Sequence, residues 1–269
     1  MDYRGHPLSA NVSMLFTELP YLDRFGAAAR MGFTQVESWW PFASPTPSVP
    51  EVDLFVTAIS TAGVTLSALN FFGGDVAAGE RGIACRPDRE AEAAANLGAM
   101  VAIAESTGCR LFNMLYGQLD DRWSVAEQES TAVAAIRAGA EAVGPLGGTV
   151  LLEPLTEGLN GRYPLLTADD VLALLDGPLK DLTNVSLLFD TFHLGSNGVD
   201  LVATATALGA GIKHVQIADS PGRGEPGSGA LAIDAALDAL SAAGYGGVVA
   251  CEYKPTTDTA TSLATFLRP

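Results

Sequence analysis

The sequence predicts a closed (β/α)8 barrel, and three observations predict it. Strand-like and helix-like runs alternate eight times along the 269 residues, with no Pro/Ser linker and no break in composition. Strict alternation implies a parallel sheet with right-handed crossovers, and eight such units in about 250 residues is the size at which the sheet closes on itself. The rival, an open doubly wound sheet, lacks its signatures: the first strand is not followed by a G-x-G-x-x-G turn, and no P-loop motif appears. Residues 1–269 are expected to form a single domain.

Taken in order, Asn11 to Phe16 reads as the first strand and Pro20 to Met31 as a helix ended by Gly32. Thr34 to Ser38 is a second short strand, followed by an aromatic loop, Trp39-Trp40-Pro41-Phe42, with prolines down to Pro50. Glu51 to Ala62 is helical and stops at Gly63; Val64 to Phe71 is a third strand. Gly73 to Pro87 is a long Gly-rich loop holding Arg81 and Arg86, and Asp88 to Thr107 a long Ala-rich helix. Arg110 to Leu115 is the fourth strand, Val125 to Val143 a helix, and Thr149 to Leu152 a strand that runs into Glu153-Pro154. Thr167 to Leu175 is a helix with Thr167 as a plausible N-cap and two aspartates in its first turn. Val185 to Phe189 is a strand ending at Asp190, and Val199 to Leu208 a helix. Lys213 to Ala218 is the seventh strand, Ile233 to Ala243 a helix, Gly247 to Cys251 a strand ending at Glu252, and Thr259 to Leu267 the last helix.

Composition narrows the partners. The chain is 48% hydrophobic and 17% charged, ordinary for a globular protein, with a formal net charge of -16. An acidic surface of that size disfavours nucleic acid and anionic membranes, both polyanions. It leaves room for an anionic small substrate if positive charge is supplied locally, by Arg223 or a metal. Cys85, Cys109 and Cys251 are odd in number and show no C-x-x-C spacing, which argues for a reducing compartment. Met1 to Ala10 has no apolar run, and no apolar stretch reaches the roughly 20 residues that a membrane span needs. A soluble, cytoplasmic chain is expected. The acidic, Ala-rich helices suit a monomer or a homo-oligomer equally.

In a (β/α)8 barrel the reactive rim is the C-terminal end of the strands. Glu153, Asp190, Gln216 and Glu252 fall there on four consecutive strands. Side chains alternate along a strand, so Leu151 and Glu153 share a face, as do Leu188 and Asp190, His214 and Gln216, and Ala250 and Glu252. All four sets can point inward together. Three crowded carboxylates repel each other and need a cation, shared protons, or both. An all-oxygen donor set suits a hard divalent ion such as Mg2+ or Mn2+; with only three histidines, a His-rich polynuclear zinc site cannot be built. The bland alternative is that each acid caps the next helix or pairs with a neighbouring lysine.

His193, just past Asp190, reads as a site residue, whereas His214 reads as a satisfied core histidine. Arg223 and Glu225 lie in a Gly/Pro-rich loop straight after a strand, a good place to bind something polar. Trp40, with Trp39 and Phe42, reads as a pocket wall. Lys254 shares a face with Glu252 and either reaches the rim or pairs with it.

Four segments carry a family resemblance: Gly79-Glu80-Arg81-Gly82-Ile83-Ala84, Leu152-Glu153-Pro154-Leu155, Phe189-Asp190-Thr191-Phe192-His193, and His214 through Gly227. They resemble the hydroxypyruvate isomerase family, within the xylose isomerase-like TIM barrels, and the likeness runs in order along essentially the whole chain. The resemblance implies interconversion of hydroxypyruvate and tartronate semialdehyde, or of a similar 2-oxo acid or short sugar acid. By motif, Glu153 and Glu252 match the proton donor and acceptor. Glu153, Asp190, Gln216 and Glu252 match the divalent-metal positions. His193 and Arg223 match substrate-contacting positions of related ketose 3-epimerases. Those epimerases usually have histidine where this chain has Gln216, a departure that points to the hydroxypyruvate isomerase branch. In the mechanism so implied, Arg223 holds the substrate carboxylate through a two-pronged hydrogen-bond pair. The alternatives are a ketose 3-epimerase or isomerase on a neutral sugar, a non-catalytic sugar-binding barrel, and a barrel nuclease, which the net charge disfavours.

Overall fold

A computed structural model describes residues 1–267, and in it the strand-helix alternation closes into a ring. The barrel strands are β2 (His6–Asn11), β3 (Gln35–Ser38), β4 (Thr65–Asn70), β5 (Leu111–Asn113), β6 (Thr149–Leu152), β7 (Val185–Asp190), β8 (His214–Ile217) and β9 (Val249–Cys251). Each pairs in parallel with the next, and β9 pairs in parallel with β2. A two-residue strand β1 (Asp2–Tyr3) adds an antiparallel hairpin onto β2. Closure leaves no free edge in the ring.

Helices cover the outside: α1 (Asp23–Arg30), α2 (Val49–Ala62), α3 (Glu90–Thr107), α4 (Val125–Val143), α5 (Ala168–Asp176), α6 (Thr191–Ser196), α7 (Leu201–Leu208), α8 (Ile233–Ala242) and α9 (Thr259–Phe266). Their ends are written locally. Ser124 and Glu127 form a reciprocal capping box on α4, as Thr167 and Asp170 do on α5. Gly63 and Gly108 end α2 and α3 in the left-handed region, where glycine carries no Cβ penalty. No helix among the described residues is long and apolar enough to cross a membrane.

The period-2 pattern sorts the strand residues into two environments. Val150, Leu152, Leu187, Phe189, Val215, Ile217, Val249 and Cys251 join the contiguous core between ring and helices. Leu151, Leu188 and Ala250 are buried apart from that core. They share the inward face with the strand-end polar residues, as the alternation requires.

One expected element is displaced. The first barrel strand is His6–Asn11, not Asn11 to Phe16. Its outward residues Leu8 and Ala10 enter the core, while its inward residues Ser9 and Asn11 are polar, so the segment shows little hydrophobic contrast. The apolar run at Leu15 and Phe16 lies instead in the turns after β2, its side chains buried in the core. The short helix α6, directly after β7, is also additional to the expected elements.

Candidate active site

Glu153 and Glu252 are the first residues past β6 and β9, and Asp190 is the last residue of β7. All three are buried. Gln216, on β8, stands in register between Asp190 and Ala250. Asp190 also caps α6: one carboxylate oxygen accepts from the backbone N–H groups of Phe192 at 2.7 Å and His193 at 3.1 Å. The bland capping role and the inward placement therefore coexist in one side chain.

The acids are held by donors from around the ring. Arg223 bridges two of them, its Nη2 donating to Glu252 Oε2 at 2.7 Å and to Asp190 Oδ2 at 3.2 Å. Glu252 Oε1 accepts from Asn11 Nδ2 at 3.0 Å and from the Trp39 indole N–H at 2.5 Å. Glu153 Oε2 accepts from Asn113 Nδ2 at 2.6 Å. His193 Nε2 lies 3.7 Å from Glu153 Oε1. On its other side, His193 Nδ1 accepts from the Thr156 backbone N–H at 2.9 Å. A backbone N–H can only donate, so a neutral ring carries its proton on Nε2, facing Glu153.

Burial dominates the electrostatics. It pushes the Glu153 carboxyl up to about 8, with the Asp190 charge adding to the shift and Arg223 opposing it. Burial likewise raises Asp190 and Glu252, each against the pull of the Arg223 guanidinium. His193 is driven well below the usual histidine range, first by burial and then by the positive charges of Arg223 and Arg81. One arginine does not neutralise this many buried acids, and protons or a cation must supply the rest.

The donor set fits a divalent cation. Glu153, Asp190 and His193 bring ligand-type atoms within 4.8 Å of one another. With the His193 Nδ1 lone pair on the Thr156 N–H and its proton on Nε2, the two carboxylates are the ligands of that group. Gln216 turns its amide nitrogen to Glu37 at 2.9 Å, and its Oε1 is buried with no hydrogen-bond partner among the described residues. A buried amide oxygen left unpaired is costly, and a hard cation is the partner that carboxylates and amide oxygens suit.

Glu37 is the residue that sequence reasoning missed. It lies on β3, buried, and is a further inward-facing acid. Its Oε1 accepts from Asn11 and Gln216, at 2.8 and 2.9 Å, and its Oε2 lies 2.5 Å from His214 Nε2. The segment Thr34-Gln35-Val36-Glu37-Ser38 is polar at most positions, so an acid there carries no contrast. Asn113 did carry a signal, as a lone amide inside the apolar run Arg110 to Leu115. His214 is buried as expected, but its partner is an acid, and its Nδ1 has none among the described residues.

The remaining expectations divide. Trp40 lines the cavity, stacked edge-on against Phe42 and donating its indole N–H to the Ser44 carbonyl. Glu225 does not line it. Its carboxylate is engaged by Thr256, from the backbone N–H at 3.0 Å and the hydroxyl at 2.5 Å. It pins the loop after β8 to the loop after β9. The Lys254 side chain is exposed. Arg223 lines the cavity but spends Nη2 on two protein carboxylates.

The cavity above these groups has a volume of about 930 Å3, in the range of small-molecule sites. Glu153, His193, Arg223 and Glu252 line its buried end. The aromatic loop after β3 and the loop after β4 form its walls.

Comparison with known proteins agrees with this architecture. The sequence model described as "Xylose isomerase-like TIM barrel" matches residues 25–269. Hydroxypyruvate isomerase of Escherichia coli K12 is 33% identical over 255 residues, covering 95% of this chain and 96% of that one. The 2-oxo-tetronate isomerase of Haemophilus influenzae is 32% identical over 258 residues, covering 96% and 97%. A crystal structure from Brucella melitensis titled AP endonuclease, family 2, superposes with a TM-score of 0.88 at 31% identity, covering 97% of this chain and 98% of that one. A buried ring of acids at the strand ends, a match over nearly the whole barrel and full-length isomerase relatives lead to one assignment: the chain belongs to the xylose isomerase-like TIM barrels and, within them, to the isomerases of the hydroxypyruvate isomerase family.

Proposed function

We propose that this chain interconverts hydroxypyruvate and tartronate semialdehyde, or a closely similar 2-oxo acid or sugar acid. The observation that carries the reading is the pair of buried glutamates, Glu153 and Glu252, at the end of one cavity that His193 and Arg223 also line. One glutamate takes a proton from C3 of hydroxypyruvate, leaving an enediolate across C2 and C3. A proton returned at C2, with the C3 hydroxyl proton passed to the C2 oxygen, completes tartronate semialdehyde with no net gain or loss of atoms. Positioned acid–base groups of this kind contribute about 10²–10⁴-fold.

A carboxylate of ordinary basicity, near pKa 4.3, is a weak base for a carbon acid, so the enediolate needs stabilisation. A divalent cation, Mg2+ or Mn2+, held by Glu153, Asp190, Gln216 and Glu252, would supply it as a Lewis acid at the substrate oxygens. The chain's own groups do the rest. His193 offers its Nε2–H to a substrate oxygen beside Glu153. Arg223 holds positive charge between Asp190 and Glu252, at the reacting end of the substrate. Trp40 and Phe42 wall the cavity against water. Glu225 acts on this site through the loop it pins. The substrate is a free small molecule of the cytoplasm. A net charge of -16 argues against a polyanion at the same rim, whatever the neighbouring barrels act on.

The test is proton NMR of the purified protein with hydroxypyruvate in D2O, with Mg2+ or Mn2+ and again with EDTA. Tartronate semialdehyde carrying deuterium on carbon is the expected product, formed at a lower rate in EDTA. No turnover with metal present would remove hydroxypyruvate as the substrate.

A further inference from the structure

Three arginines line the cavity, and their surroundings differ. Arg223 is paired with Asp190 and Glu252. Arg89 is paired with Glu80 and Glu92. Arg81 has no carboxylate partner among the described residues. Its Nε donates to Asn160 Oδ1 at 3.0 Å, and its Nη1 donates to the backbone carbonyls of Val76 at 3.0 Å and Glu80 at 2.8 Å. All three acceptors are neutral. Its Nη2, with two N–H groups, makes no hydrogen bond among the described residues. The half-buried guanidinium is thus fixed on three sides, keeps its full charge, and has its fourth side free on the wall of the cavity.

Arg81 is also tied to the reacting end. Asn160, buried, donates to the Thr156 carbonyl at 3.0 Å, and Thr156 in turn holds His193 Nδ1. His193 faces Glu153. The chain Arg81–Asn160–Thr156–His193–Glu153 ties the cation to the reacting end of the cavity. The loop that carries it is held by backbone bonds, Gly82 N–H to the Gly73 carbonyl at 3.0 Å and Cys85 N–H to the Tyr116 carbonyl at 2.7 Å. At Gly82, φ is +97° and a Cβ would stand 2.1 Å from the Leu115 carbonyl oxygen. Only glycine fits, so the residue next to Arg81 is locked against the neighbouring loop.

We infer that Arg81, rather than Arg223, anchors the carboxylate of the substrate, and that the site selects small 2-oxo or hydroxy acids over neutral sugars through it. The inference rests on the isomerase reading for the reacting end of the ligand and on Arg81 for the anchored end. An uncompensated guanidinium with a free edge matches a carboxylate. A carboxylate at Arg223 would have to share that guanidinium with two protein carboxylates beside it.

The test is calorimetric titration of D-glycerate into the wild-type protein, Arg81→Gln and Arg81→Lys, all in EDTA so that no metal supplies the anion site, beside hydroxypyruvate kinetics with metal present. Loss of a charge-assisted hydrogen bond and of the charge behind it predicts a glycerate Kd raised about 10- to 100-fold in Arg81→Gln and less in Arg81→Lys. The hydroxypyruvate KM should rise by a similar factor, with kcat changed by less than about threefold, a split that mere loosening of the fold would not produce. Should Arg81→Gln melt early, Arg81→Lys, which keeps the charge and loses the fixed Nη2 donors, decides alone by a raised Kd at unchanged melting temperature. Glycerate binding within twofold of wild type in the folded variants would overturn the inference, as would a wild-type protein that does not bind glycerate. Arg81-dependent glycerate binding by a protein that turns over no 2-oxo acid would instead refute the isomerase reading and leave the anchor standing.

Discussion

The two halves of the barrel do different work. The second half, β6 to β9, carries Glu153, Asp190, Gln216 and Glu252, one polar residue at or near the end of each strand. The first half, β2 to β5 with its loops, carries most of the groups that hold them, Arg223 apart: Asn11 and Trp39 on Glu252, Glu37 on Gln216, Asn113 on Glu153. It also carries the cavity walls and Arg81. Much of the orientation is therefore contributed by a different stretch of chain from the acids themselves, and at Glu252 the two meet because β9 closes onto β2. The Asn11–Glu252 bond joins residues 241 apart. Reactive groups need rigid partners to keep their geometry, and for Glu252 two of those partners, Asn11 and Trp39, come from the opposite end of the sequence.

Five substitutions at four positions probe that division, and the largest effect belongs to the second half. Glu252→Gln should lower kcat for hydroxypyruvate by about 10²–10⁴-fold without lowering the melting temperature, since it removes a buried charge and keeps the shape. A rate near wild type in the NMR assay would break the two-glutamate scheme.

In the first half, Glu37→Leu should act on stability. It leaves Asn11, His214 and Gln216 facing a side chain with no acceptor, at a cost of about 3 kcal/mol, readable as a lower denaturant midpoint at unchanged slope. Glu37→Gln keeps an acceptor and should lose clearly less. Equal losses in the two variants would show that Glu37 matters for volume and not for hydrogen bonding.

Gly82→Ala forces the loop off the Leu115 carbonyl and should raise the substrate KM about tenfold with kcat nearly kept, because it displaces a binding wall and not the acids. A fall in kcat alone would place this loop with the chemistry. The smallest effect is expected from Trp40→Ala, which removes a half-buried wall: a KM change of about fivefold, roughly 1 kcal/mol, in steady-state kinetics.

Much of the second half was legible in advance. Strands β6 to β9 read as apolar runs closed by one polar residue, and the period of two put Glu153, Asp190, Gln216 and Glu252 on a common inward face, where the structure has them. The first half was less legible. Its opening strand carries Ser9 and Asn11 inward, so the expected strand slid onto the more apolar residues that follow. Glu37 sits in a polar segment, and nothing in the sequence separates an acid facing the barrel axis from one facing water. Glu225, two residues from Arg223 in the same loop, was expected beside the substrate; its carboxylate turns to Thr256 instead.

What the sequence by itself determined is the barrel and the acids at its rim, because alternation along a strand and the stop at its end are local properties, written residue by residue. Which cation is compensated was decided only by tertiary structure. Arg81 and Arg223 are the same side chain in loops of similar composition. One folds against two buried carboxylates and the other against three neutral oxygens, and no local pattern records which oxygens a long side chain will reach.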